Sequence, residues 1–151
     1  MRVPWMVTWL VLPLALTAGA RAQSPAPAGT ASENLAVSKV FDPESLAVTH
    51  NANGSERRDL VRAGRLATGE AVHVHQSIQP AGVQPGAPHA IQHSEFIIVT
   101  EGTLEIVHDG RTERAGTGSV IYIAHGTVHQ ARNAGPGPAT YTVVAIGGDA
   151  R

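Results

Sequence analysis

The sequence predicts an all-β domain built as a sandwich or barrel. Three observations carry this. Short runs of β-forming residues recur along the chain from Leu35 onward. Breaks rich in Gly, Pro and Asn separate them at spacings of around ten residues, the rhythm of strands folding back on one another. No stretch after residue 30 holds a helical apolar period.

The elements follow in order. Residues 1–22 carry an early positive charge at Arg2, an apolar run from Val3 to Leu16 and the small-residue sequence Ala20-Arg21-Ala22. This is the pattern of a secretory leader cut after Ala22. Its apolar core, interrupted by Pro13, is shorter than the roughly 20 residues a spanning helix needs. The expected location is therefore secreted or periplasmic, with no membrane attachment after cleavage. Residues 23–34 are rich in Pro, Ala and Ser and read as a linker. One domain, 35–148, follows.

Candidate strands lie at 36–41, 57–63, 71–78, 95–100, 103–108, 120–124, 128–133 and 140–146, with a weak helical turn at 43–47. The breaks include Asn51-Ala52-Asn53-Gly54, Pro80-Ala81-Gly82, Asp109-Gly110 and Gly135-Pro136-Gly137-Pro138. Asp-Gly between β runs signals a hairpin. Asn53-Gly54-Ser55 is formally a glycosylation sequon and reads here as a turn.

Composition excludes several classes. Arg2 and Arg21 leave with the leader, so nine basic residues face twelve acidic ones, a formal charge of −3. There is no basic run and no aromatic–basic interleaving for nucleic acid. The chain has no cysteine, which excludes disulfides and thiolate metal sites. Any metal must be held by nitrogen and oxygen.

Such ligands are present. His89, His93 and Glu95 fall within seven residues, and His129 lies in a second short block. Imidazoles with one carboxylate suit a divalent transition metal, and Fe, Mn, Ni and Zn all accept this set. On a regular strand, residues two, four and six apart share a face, so the first three would point the same way. His73 and His75 share a face on the preceding strand. Val72, Val74 and Ile78 take the other parity and read as its core side, which turns the two histidines toward solvent or a partner subunit; the alternative is that one of them lines the barrel mouth. Phe96, Ile98, Val120, Tyr122 and Val143 are the expected apolar packing around the cluster. Gly102 is the expected tight turn that pairs the strands on either side of it. Asn133 shares a face with His129 and can bond backbone or site water. His125 stands near His129 and, with Tyr122 and Glu105, is a nominee for general acid–base work. His50 and His108 read as surface residues.

The two blocks have an ordered form: Gly82-(x)6-His89-x-Ile91-x-His93-x-Glu95-(x)6-Gly102, then Gly118-(x)5-Ala124-His125-Gly126-(x)2-His129-(x)3-Asn133. They are separated by 15 residues, 103–117. This pattern resembles the two motifs of the cupin superfamily, small jelly-roll (double-stranded β-helix) barrels. The match is direct at His89, Glu95, Gly102, Gly118, Gly126, His129 and Asn133. Ala124 stands where proline is usual. Ile91 stands where the second ligand histidine is expected and cannot bind a metal; His93, two residues further on, is the candidate replacement. The version His89-x-Ile91-x-His93-Ser94-Glu95-Phe96 is also similar to that of a subgroup of secreted bacterial cupins. The resemblance covers roughly residues 70–146. It implies a divalent metal held by His89, His93, Glu95 and His129. It also implies a small-molecule ligand and a homodimer formed through the strands at 36–41 and 71–78. Dioxygenase- or isomerase-like chemistry and non-catalytic binding of a sugar or aromatic acid both remain open.

Overall fold

The computed structural model describes residues 33–150; the expected leader and most of the linker lie outside them. The all-β expectation holds. Among the described residues, eleven strands form two sheets. In chain order they are β1 (Glu33–Asn34), β2 (Thr49–His50), β3 (Glu56–Arg65), β4 (Ala71–Gln79), β5 (His89–Ala90), β6 (Ser94–Glu101), β7 (Thr103–His108), β8 (Arg111–Gly116), β9 (Val120–Ile123), β10 (Val128–Asn133) and β11 (Ala139–Ile146). The larger sheet runs β1-β3-β4-β11-β6-β9, with β2 added to β3; the smaller runs β5-β10-β7-β8. A 3-10 turn at Pro43–Ser45 is capped by Asp42, whose carboxylate accepts from Glu44 N.

β11 shows best how sequence dictates burial. It lies between β4 and β6 and alternates strictly, with Ala139, Tyr141, Val143 and Ala145 turned inward. Its neighbour β6 sends Glu95, Ile97 and Val99 to the same side. Leu104 and Ile106 of β7, with Ala115 of β8 and Ile123 of β9, complete the core between the sheets. The pleat forces the opposite parity outward. Phe96, Ile98, Val120 and Tyr122 are therefore exposed on the outer face, where Phe96 pairs with Tyr122 and Ile98 with Val120. They are not the apolar lining expected of them; of that group only Val143 is buried.

Two further expectations are corrected, and one strand was not foreseen. Residues 36–41 form no strand, and Val37 and Val40 are exposed; Glu33–Asn34 makes the short parallel pairing with β3 instead. β4 is paired along both edges, by β3 and β11. β8, with the sequence RTERAG, has almost no apolar content and escaped prediction. It pairs with β7 across Asp109-Gly110, where both residues have positive φ, 46° and 71°, the hairpin geometry that Asp-Gly favours. Finally, β6 and β7 do not pair. Gly102 (φ 75°) is the corner that carries the chain from one sheet to the other, and a Cβ there would lie 2.3 Å from Pro138 O.

His73 and His75 are the most consequential reversal. Both face inward, His73 buried and His75 largely so, and both line the interior cavity. Val72 on the other parity is buried too. Both faces of this end of β4 are covered, so alternation gave no outer face to which the histidines could be assigned.

Candidate metal centre

The interior of the barrel is not filled. Where β4 sends His73, His75, Ser77 and Gln79 inward, a cavity of about 840 Å3 remains. His89, His93, Glu95 and His129 all line it, as does Ile91.

They do not share one strand. His89 belongs to β5 in the smaller sheet, directly opposite His129 of β10. The chain then bends at Gln92–His93 and enters β6 in the larger sheet. Regular alternation thus does not bring these side chains together; the crossing between sheets does. Ile91 is anchored in the core, and its carbonyl accepts from Gly126 N at 2.9 Å.

Glu95 is the centre of the group. Its Oε1 lies 2.8 Å from His93 Nε2 and its Oε2 3.6 Å from His129 Nε2. The rings of His89 and His129 have centroids 4.7 Å apart. His93 Nδ1 is 2.6 Å from Asp149 Oδ1. With a carboxylate at each nitrogen, both N–H groups of His93 donate. Burial pushes this ring toward neutrality, but Asp149 and Glu95 outweigh it and hold the His93 pKa above the usual histidine value. Burial lowers the pKa of His129; Glu95 opposes this and His89 adds to it. His129 is therefore held neutral, the form a metal requires.

Among the described residues, no three His, Asp or Glu side chains stand in a metal-holding arrangement. The donor types, three imidazoles and one carboxylate, are nonetheless those a divalent ion takes. Two carboxylates, Glu95 and Asp149, converge on one imidazole, and a protonated His93 supplies the positive charge they call for. An ion ligated by Glu95 and the histidines would supply that charge instead, with Asp149 orienting His93 from behind, as metal-bound imidazoles commonly require.

The other residues singled out in the sequence lie elsewhere. Asn133 donates to Gln79 O and Gly137 O, both at 2.8 Å, and accepts from Gly135 N; it clamps a loop by backbone bonds. Glu105 is buried but paired with Arg132 and Arg114, Tyr122 is exposed, and His125 is exposed beside the Asp109-Gly110 turn. None of these three acid–base nominees lines the interior cavity. His108 is a surface residue bonded to Glu113 and Asp109. His50 is exposed in β2.

Sequence reasoning missed a second polar group on the cavity wall. Arg57 Nε donates to Asp59 Oδ1 at 2.7 Å, and Arg57 Nη2 stands 2.6 Å from His73 Nε2. His73 Nδ1 lies 2.9 Å from Arg62 O. His73 thus donates from Nδ1 to that carbonyl and accepts at Nε2. Burial first, and Arg57 second, lower the pKa of His73; the same causes take His75 down to about 3. Arg57 and Asp59, two apart on β3 and opposite Ser77 and His75, were the available signal.

Comparisons with known proteins agree with this architecture. The cupin domain family model matches residues 74–145, the stretch that holds both motifs. No curated protein matches significantly. Among solved structures, an RmlC-like cupin from Shewanella frigidimarina superposes with a TM-score of 0.59 at 18% identity, covering 74% of this chain and 94% of that one. A predicted oxalate decarboxylase from Thermotoga maritima does so with a TM-score of 0.59 at 16% identity, covering 72% and 98%. A cupin 2 conserved barrel domain protein from Salinispora arenicola gives 0.52 at 22%, covering 72% and 87%. At these identities the likeness is one of fold. With both motifs in order on a two-sheet barrel of this topology, the chain belongs to the cupin superfamily.

Proposed function

We propose that this protein is an exported, single-domain cupin that holds a divalent metal, Fe, Mn, Ni or Zn, through His89, His93, Glu95 and His129 and acts on a small molecule admitted to the cavity. The observation that carries the reading is the position of Glu95, its two oxygens facing His93 and His129 on the wall of an open interior cavity. A bound ion supplies Lewis acidity toward a carbonyl or enediol oxygen, or a binding position for O2, which is the basis of dioxygenase- or isomerase-like chemistry. The chain's own part is to orient the ligand set, through Asp149 on His93 and the β5–β10 pairing on His89 and His129.

A second reading is a non-catalytic module that binds a sugar or aromatic acid. One observation favours it: Glu105, Tyr122 and His125, the acid–base nominees, stand away from the cavity. A homodimer and cleavage after Ala22 complete the proposal, the latter supported by the leader pattern. Light scattering of the mature chain showing only monomer would remove the dimer.

The test of the metal site is elemental analysis of the mature chain purified after growth with supplemented Fe, Mn, Ni and Zn. About one equivalent per chain is expected, and its loss in Glu95→Gln. A metal-free protein under all four supplements overturns the reading.

A further inference from the structure

We infer that Arg57 forms an anion subsite on the wall of the same cavity, and that the small molecule taken there carries a carboxylate that this guanidinium binds. The inference rests on the reading above only in placing the molecule's other end at the His/Glu cluster.

Arg57 lines the cavity and is held on two sides, by Asp59 at Nε and His73 at Nη2. These bonds use two of its five N–H groups. The rest of the guanidinium, including all of Nη1, is left for a guest, already oriented; little side-chain entropy remains to be lost on binding. Asp59 does not cancel the charge, because it is shared with Arg62 at 3.4 Å. Two guanidinium groups thus face one carboxylate, and His73 and His75 are held neutral beside them. Of the residues that line the cavity, Arg57 alone carries a fixed positive charge.

The opposite end is different. Across β11, His73 pairs with Ala145 and Ala145 with Glu95. Two strand spacings, roughly 10 Å, therefore separate the backbones of His73 and Glu95. An organic acid about the size of a substituted benzoate spans that interval. Glu95 and Asp149, both lining the cavity, disfavour a doubly charged guest such as phosphate. A planar monoanion matches the guanidinium fork best.

The experiment is 19F NMR titration of zinc-loaded protein with 4-fluorobenzoate, 4-fluorobenzamide, trifluoroacetate and trifluoroacetamide, and 31P titration with inorganic phosphate. The carboxylates should bind wild type, and each neutral amide about 10- to 100-fold more weakly. Arg57→Met should lose binding by a similar factor with its zinc content unchanged. Arg57→Lys guards against misfolding of the first variant, and should also bind 4-fluorobenzoate more weakly than wild type. Equal binding of acid and amide, binding by Arg57→Lys as tight as wild type, or capture of phosphate without carboxylates overturns the subsite. Protein that captures 4-fluorobenzoate through Arg57 but holds no zinc sinks the metal reading alone. Protein that holds zinc and captures no carboxylate sinks the subsite alone.

Discussion

His93 Nε2 stands 2.8 Å from Glu95 Oε1, and it is the other nitrogen of the ring that gives this pair its meaning. That nitrogen donates to Asp149 Oδ1 at 2.6 Å, across 56 residues of chain. In the proposed site His93 is a ligand, and a carboxylate behind a ligand histidine is the common arrangement at metal centres. Asp149→Asn keeps the shape and removes the charge. It should weaken zinc affinity by about 10- to 100-fold, measured by competition with a chromophoric chelator, and leave the fold intact by circular dichroism. Unchanged affinity would mean that Asp149 has no part in the site.

Asp149 reaches His93 only because Gly148 allows it. Gly148 has φ 51°, and a Cβ on it would lie 1.6 Å from Gln92 O. No side chain fits there, so Gly148→Ala must push the 147–149 turn away from the bend at Gln92–His93. The expected cost is about 1–3 kcal/mol of stability by urea unfolding, together with a loss of zinc affinity at least as large as that of Asp149→Asn. A variant with wild-type stability and affinity would show that the turn does not hold Asp149 in place.

Much of this was legible in the sequence. Apart from β5 and β8, the strand positions from 57 to 146 follow from β-formers between Gly, Pro and Asn breaks, and Asp109-Gly110 forms the hairpin its chemistry demands. The four metal-favouring side chains do meet at one cavity. What failed was parity. His89, His93 and Glu95 were expected on one strand, yet the chain changes sheets between them, and no local preference at Gln92 announces the bend. Glu95 inward requires Phe96 outward, and an apolar residue carries no mark of which face it takes. His73 and His75 were misplaced because both faces of β4 are covered. Their inward partners, Arg57 and Asp59, come from β3, a long-range pairing that no local pattern reveals.

The parity assignment is directly testable. Ile97 is buried in the core at 2% exposure, whereas Ile98 on the outer face is 36% exposed. Ile97→Ala should cost about 2–5 kcal/mol, through lost burial and the cavity left behind. Ile98→Ala should cost below about 1 kcal/mol. Urea midpoints for the two variants separate the faces, and comparable losses would contradict the register of β6.

His75 makes the fold sensitive to acid. Burial first, then the charges of Arg57 and His73, take its pKa from the ordinary 6.5 to about 3. The unfolded chain therefore binds more protons at this position than the folded one between those values. Stability must rise with pH across that window and fall as pH drops from about 6.5 toward 3. At pH 5 a depression of this size amounts to roughly 2 kcal/mol. His75→Leu removes the titrating group and keeps an apolar side chain among its buried neighbours. Urea unfolding at pH 8 and pH 5 should show a drop for wild type that is about 2 kcal/mol larger than for the variant. His93 and His129 remain in both proteins and cancel in the comparison; the difference reports on His75 together with its coupling to His73. Equal drops would mean that His75 is solvated well enough to keep its ordinary pKa.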